Sequence, residues 1–528
     1  MLFLKLYRKK IHLSLGNLHF PLGDSGEWDF FPPSGIDNVL RQWHNKTVIV
    51  PLREVFMLFS SNLFLFLFLP AVLLGYYVLP RRLRNLFLLA ASLIFYAWGT
   101  GSFVFVMFGS ILFNYLAALI MDRFSRQWVR KTLLVVAVAG NLGILFVYKY
   151  LDFFISNLNA LGFHLPLQNI ALPLGISFFT FQAMSYVIDV YRGSAKAQIR
   201  PQNIGLYISF FPQLVAGPIV RYQTIAEQID HRRENIDDFG KGVRRFILGF
   251  AKKIILSNNM ALVADAVFSA APNERSVIYA WMGALAYAFQ ILFDFSGYSD
   301  MAIGLGKMFG FHFLENFDYP YISASVSEFW RRWHMSLGQW FRDYVYFPLG
   351  GSRVKSKARL VWNLFVVWSL TGIWHGASWN FVVWGLMYFA LIAFEKLTGL
   401  PKGFIHGWQK GLYRVFTLLC VLIGWVFFRA PDLSSAVSYL QSMLGLAGNA
   451  FADDMVIRTF RQYQFFYLGA IVCSTPLFKI LKERLTVRSR KLAAAAEYLS
   501  VPVYLFLLLW AVSFIMIGSH NPFIYFNF

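Results

Sequence analysis

NLFLFLFLPAVLLGYYVLP, residues Asn62–Pro80, carries no charged side chain and comes close to the ~20 residues a helix needs to cross hydrocarbon. Runs of the same kind recur along the chain, near 85–98, 102–121, 132–150, 170–191, 203–220, 244–263, 277–293, 301–313, 360–374, 379–397, 413–428, 464–481 and 501–517. Composition agrees: 57% of the residues are hydrophobic, 19% aromatic and only 14% charged, against about a quarter charged in a soluble domain. So little polar surface cannot clothe 528 residues in water. Abundant Phe and Trp suit packing in lipid and aromatic belts at its interfaces.

The net charge of +21 raises the possibility of a nucleic-acid partner, but the placement of the charges excludes it. Lys and Arg fall in short clusters between apolar runs: Arg81-Arg82-Leu83-Arg84, then 123–131, 353–359 and 482–491. A nucleic-acid face needs a solvated basic stripe, whereas basic loops between spans are the positive-inside pattern of cytoplasmic loops. With Arg81–Arg84 in the cytoplasm, the turn at Gly99-Thr100-Gly101-Ser102 lies outside and the 123–131 cluster inside again. His375 stands sixteen positions after Arg359, roughly 24 Å up a helix leaving a cytoplasmic loop, in the outer half of the membrane.

Several runs are broken by Gly and Pro, as in Leu172-Pro173-Leu174-Gly175 and Phe211-Pro212-Gln213-Leu214-Val215-Ala216-Gly217-Pro218. Irregular backbone at membrane depth survives only when buried in protein or lining a cavity. The expected fold is therefore all-α: a polytopic integral membrane protein of about a dozen transmembrane or re-entrant helices around a central cavity. Residues 222–243, charged with both signs, read as a solvated or interfacial helix. No repeat of the inverted-transporter type is visible. Cys420 and Cys473 sit in apolar runs and read as packing residues, not as a disulfide framework.

Residues 1–56 are less apolar and lack a signal-peptide pattern. Met57-Leu58-Phe59-Ser60-Ser61-Asn62 leads straight into the first span, so 1–56 are read as an N-terminal extension and a misassigned start, a soluble tail being the alternative. Residues 57–528 form the membrane domain.

Two histidines in apolar surroundings carry the chemistry: His334 in Glu328-Phe329-Trp330-Arg331-Arg332-Trp333-His334-Met335-Ser336, and His375 in Gly372-Ile373-Trp374-His375-Gly376. A titratable ring at membrane depth is costly unless it serves a site or meets a partner, and imidazole is suited to moving protons near neutral pH. The alternative for either ring is a satisfied buried hydrogen bond. The other histidines show no metal-ligand spacing with carboxylates or cysteines, and no bound metal is expected. Gly350-Gly351 is a turn, since the Lys-Ser/Thr of a phosphate-binding loop does not follow.

These motifs, with Phe293-Asp294-Phe295-Ser296-Gly297-Tyr298-Ser299-Asp300, Arg342-Asp343-Tyr344-Val345-Tyr346-Phe347-Pro348-Leu349-Gly350-Gly351, Gly424-Trp425-Val426-Phe427-Phe428-Arg429 and Asn521-Pro522-Phe523-Ile524-Tyr525-Phe526, resemble the membrane-bound O-acyltransferase (MBOAT) family in its bacterial polysaccharide-acylating branch. The resemblance runs from Met57 to Phe528. It implies the family's multi-helical membrane fold and transfer of an acetyl group from a cytoplasmic thioester to a hydroxyl of an exported or cell-envelope polysaccharide such as alginate. Acetyl-CoA is the implied donor, a cosubstrate and not a bound cofactor. It also implies an extracytoplasmic acyltransferase or polysaccharide-biosynthesis partner and a multi-pass address in the bacterial inner membrane. D-alanyl transfer toward teichoic acid, peptidoglycan acetylation and, in another class, a polysaccharide or lipid-intermediate transporter are the alternatives.

The resemblance implies catalysis by His375 and His334. Acyl transfer needs a base for the hydroxyl and donors for the oxyanion, which suggests His375 as base and His334 as orienter, second relay or oxyanion donor. Arg331 and Arg332 could hold donor phosphates or serve as interfacial anchors. Asp294 and Asp300 read chiefly as members of ion pairs.

Overall fold

The computed structural model describes residues 57–400, 403–517 and 523–524. The expectations for 1–56 and for most of the Asn521–Phe526 motif lie outside these residues. Every regular element among those described is helical. In chain order they are α1 (Phe64–Val78), α2 (Arg81–Thr100), α3 (Val104–Arg123), α4 (Gln127–Ala160), α5 (Ile176–Arg192), α6 (Pro201–Ser209), α7 (Tyr222–His231), α8 (Ile236–Ser269) and α9 (Val277–Met308). There follow α10 (Val326–Arg332), α11 (Met335–Phe341), α12 (Lys357–His375), α13 (Trp379–Thr398), α14 (Gly407–Arg429), α15 (Leu433–Met443), α16 (Asp454–Cys473), α17 (Leu477–Arg488) and α18 (Arg490–Met516).

By length and apolarity seven helical stretches can cross a membrane, and α16 with α17, bent by 53°, brings the number to eight. The other elements expected as spans are shorter or less apolar helices or broken segments. Residues 203–220 are no span: α6 ends at Ser209, one helical turn follows at Phe211–Leu214, and every residue from Asn203 to Val220 is buried. Prolines 212 and 218 remove backbone donors, and the surrounding protein supplies what lipid could not. The runs at 277–293 and 301–313 are one helix, the 32-residue α9. The 222–243 segment is two elements: α7 buries Tyr222, Ile225 and Ile229, and Asn235 then caps α8 by accepting from the N–H of Asp238 at 2.7 Å.

The start of α2 and the end of α9 meet neighbouring segments. Arg84 at the start of α2 pairs with Glu234 at 2.9 Å, and Tyr77 donates to the carbonyl of Met308 at the end of α9. At the opposite end of α9, the N–H groups of Val277 and Ile278 donate to Ala450 and Phe451.

α8 and α9 pack antiparallel through glycines. A Cβ on Gly242 would lie 2.6 Å from the Gly304 carbonyl oxygen, and one on Gly297 would lie 2.7 Å from that of Gly249. Without a hydrophobic drive between helices in lipid, such close backbone approach supplies van der Waals contact. The same interface buries charge in pairs: Lys253 with Asp294, and Asp300 with both Arg245 and Lys252 at 2.6 Å. Asp294 also accepts from the N–H of Ile524 at 2.7 Å, so the chain's last described residues dock on mid-α9.

Gly304→Ala should overpack this contact, where Cβ would meet Gly242 O at 2.6 Å and Phe246 N at 2.7 Å, and cost about 1–3 kcal/mol. Thermal unfolding in detergent should show a lower midpoint for Gly304→Ala and an equal or slightly higher one for Gly109→Ala, a helical site whose Cβ would meet nothing within 4 Å.

Candidate active site

His375 is the last residue of α12 and His334 the residue before α11. Both are buried, at 4% and 2% exposure, and both pack on Trp374. The Trp374 ring lies 5.0 Å from His375 and 6.2 Å from His334, centroid to centroid. The structure thus brings together two residues forty-one positions apart in sequence.

The placement of His375 follows from how α12 meets α13. Gly372 and Gly385 abut: a Cβ on Gly385 would lie 2.6 Å from the Trp368 carbonyl oxygen. At Gly376 a Cβ would run into the Phe381 ring, so only glycine lets the chain turn at once from His375 into α13. The imidazole is then boxed edge-to-face by Trp374, Trp384 and Phe428, at 5.0, 5.0 and 5.1 Å. Trp330 extends the box by packing on Trp384 and Tyr388 at 5.4 and 4.8 Å.

His334 is held by its backbone as much as by its ring. Its φ is +45° and ψ +51°, a left-handed conformation costing of order 1–3 kcal/mol in a non-glycine residue and found mostly where surroundings over-determine it. Asn316 does that here. Its carbonyl accepts from the N–H of Met335 at 2.9 Å. Its Oδ1 accepts from the N–H and hydroxyl of Ser336 at 3.1 and 2.9 Å, and its Nδ2 donates to Ser299 at 3.0 Å. Because the Ser336 N–H can only donate, the atom facing it is Oδ1. The His334 Nδ1, 3.2 Å from the same oxygen, must then carry the proton, which leaves Nε2 with a lone pair. That nitrogen has no hydrogen-bond partner among the described residues, and neither have the indole nitrogens of Trp330, Trp374 and Trp384 or the Tyr388 hydroxyl. Buried polar atoms are nearly always satisfied, so this group around two imidazoles suits a polar reactant.

The remaining sequence expectations divide. Arg332 is committed to protein, donating to Glu328 at 2.9 Å and to the Asp318 carboxylate at 3.0 Å. Arg331 is exposed and makes no ion pair among the described residues. Asp294 and Asp300 are ion-paired, as read. No cluster of three or more His, Cys, Asp or Glu able to hold a metal occurs among the described residues. A small cavity is lined by Leu58, Phe59, Ser60, Lys253, Asp294, Tyr298, Met301 and Phe523, and by neither imidazole. Asn316 gave no sequence signal, since its role depends on a fold-dependent contact. Lys149 did give one, as a cation inside an apolar run, and its Nζ meets the Trp374 and His375 carbonyls.

Buried titratable rings within a bundle of membrane-crossing helices define a class, the enzymes that work inside a bilayer. This chain belongs to the membrane-bound O-acyltransferase family (MBOAT), whose model matches residues 92–400, more than half of the 528. It is a multi-pass membrane acyltransferase. It is similar to the probable alginate O-acetylase AlgI of Pseudomonas aeruginosa, 43% identical over 73% of this chain and 75% of that protein. It is also similar to the peptidoglycan O-acetyltransferase of Helicobacter pylori, 33% identical over 91% of this chain and 99% of that protein. The teichoic acid D-alanyltransferase of Bacillus subtilis is 29% identical over 50% of this chain and 70% of its own length.

Asn316→Ala should release the His334 ring and the start of α11 together, costing about 1–3 kcal/mol for the groups left unsatisfied. Acyl transfer by membranes of equal protein content should fall at least ten-fold.

Proposed function

We infer that this enzyme acetylates hydroxyls of an exported or cell-envelope polysaccharide of the alginate kind, drawing the acetyl group from a cytoplasmic thioester, with acetyl-CoA as donor. The observation that carries the reading is the convergence of His375 and His334 on Trp374, inside an aromatic box with partnerless polar atoms. The similarity to proteins named for alginate and peptidoglycan acetylation supports the polymer class. The inner bacterial membrane and an extracytoplasmic partner that completes transfer belong to the same reading.

In the reaction the acceptor hydroxyl, of the sugar or of the partner protein, attacks the thioester carbonyl. A C–O bond forms, and its collapse breaks the C–S bond. His375 takes the hydroxyl proton as general base and returns it to the departing thiolate. With Nδ1–H engaged by Asn316, His334 offers Nε2 as an acceptor. This suits a proton relay better than an oxyanion donor, which would need a proton on that nitrogen. The indole N–H groups are donors available to the oxyanion. Of the two arginines, Arg331 keeps an uncommitted guanidinium fork for donor phosphates, whereas Arg332 is neutralised by Glu328 and Asp318. A peptidoglycan acceptor is the second reading, favoured by the near-complete length over which the Helicobacter pylori protein aligns.

His375→Ala tests the reading in cells that export the polymer. General acid–base groups contribute about 10²–10⁴-fold, so polymer acetyl content should drop by at least a hundred-fold while polymer export continues. Lost export would instead identify a transporter, and unchanged acetylation would exclude catalysis by His375.

A further inference from the structure

The C-terminal end of α12 poses an accounting problem. The last carbonyls of any helix have no partner within it, and together they hold about half a negative charge. Gly376 leaves the helix extended, at φ −166° and ψ 154°, so the next residues do not curl back to cap it. In this helix the three final carbonyls belong to Ile373, Trp374 and His375.

All three are met by two consecutive side chains of α4. Lys149 Nζ donates to the Trp374 carbonyl at 2.7 Å and to that of His375 at 3.2 Å. The Tyr150 hydroxyl donates to the Ile373 carbonyl at 3.0 Å. The third ammonium proton of Lys149 reaches the Ser177 hydroxyl at 3.4 Å, in the first turn of α5. Lys149 has no carboxylate partner among the described residues, so its charge answers to the helix end and to the rings of Tyr150 and Trp374, each 5.9 Å from Nζ. The backbone of α4 departs from regular geometry at this point. Phe146–Tyr150 is a π-helical turn, the kind of local bulge that re-aims side chains and recurs at functional sites. A second tie lies beyond the turn, where Trp379 Nε1 donates to Asn157 on the same α4 at 3.0 Å.

We propose that Lys149, supported by Tyr150, is a positioning residue for acyl transfer: it clamps the terminal turn of α12 and so fixes the direction in which His375 presents its imidazole. The clamp rests on the reading of His375 as the base. A donor with one proton could satisfy one carbonyl, but the two carbonyls and the Ser177 hydroxyl around Nζ match the three protons of an ammonium. The positive charge also complements the negative end of the helix. A base held within about an ångström of its productive position keeps its rate, and a loosened one loses about a hundred-fold. The clamp therefore acts on the chemical step and leaves donor binding alone.

Membranes from cells expressing the full chain, supplied with labelled acetyl-CoA and mannuronate oligosaccharide, separate the possibilities. Lys149→Met should lower kcat by ten- to a hundred-fold, with KM for acetyl-CoA within twofold of wild type and equal enzyme content. Lys149→Arg, which keeps charge and donors, should stay at least ten-fold above Lys149→Met. Tyr150→Phe, which removes only the Ile373 bond, should lose three- to ten-fold in kcat and carries the test if Lys149→Met does not accumulate. The clamp is overturned if Lys149→Met keeps wild-type kcat, if it raises KM at constant kcat, or if Lys149→Arg does no better than Lys149→Met. His375→Ala in the same membranes separates this from the reading it rests on. An inactive His375→Ala beside a fully active Lys149→Met sinks the clamp alone, whereas an active His375→Ala sinks both.

Discussion

In hydrocarbon a backbone N–H or C=O without a partner has no water to turn to, and each such group costs several kcal/mol. That constraint governs this molecule more than any single contact. A helix interior satisfies it automatically, so the stretches least covered by other protein are long helices, such as α4 and α18. Helix ends and breaks are allowed only where other protein reaches them. The break at 210–220 is one such place: the N–H of Ile219 is met by the Ser336 hydroxyl at 3.0 Å and that of Phe211 by Ser92 at 3.1 Å. The start of α10 is another, where Glu395 of α13 accepts from the N–H groups of Val326 and Ser327 at 2.8 Å each.

Charge inside the bundle obeys the same rule. Each acidic residue of α9 has a cation on α8, Asp294 with Lys253 and Asp300 with Arg245 and Lys252. The glycine contacts make these pairings possible, because two helices whose backbones touch bring short carboxylates within reach of the facing ammonium groups. Removing one partner would strand a buried charge, which typically costs 3–5 kcal/mol. The α8–α9 pair is thus both a packing unit and an electrostatic one, and α9 carries Phe295 onto the His334 ring at 4.5 Å.

This explains what was legible in the sequence. The apolar runs, basic loops and two motif histidines could be read because they report chemistry at single positions. The continuity of α9 could not: Asp294 and Asp300 interrupt the apolar run, and only their neutralisation by α8 lets the helix pass through. Residues 203–220 failed in the opposite sense, apolar enough for a span yet buried in protein throughout. Asn316 was illegible because an asparagine in a loop gains its meaning from the strained backbone it holds. The split roles of Arg331 and Arg332 were hidden likewise, since only the fold puts Asp318 beside Arg332.

Both imidazoles stand where regular helix stops, His375 at the end of α12 and His334 in left-handed backbone before α11. Within a helix a side chain's direction is set by the helix axis, and its backbone groups are consumed by neighbours one turn away. At a terminus the ring is released from that constraint, but orphan carbonyls and N–H groups appear beside it. Satisfying them recruits distant segments, Lys149 and Tyr150 of α4 for one ring and Asn316 for the other. The geometry of the site is therefore written partly in residues that need never touch an acyl group. A substitution two helices away can change the direction of a base without altering any group that reacts.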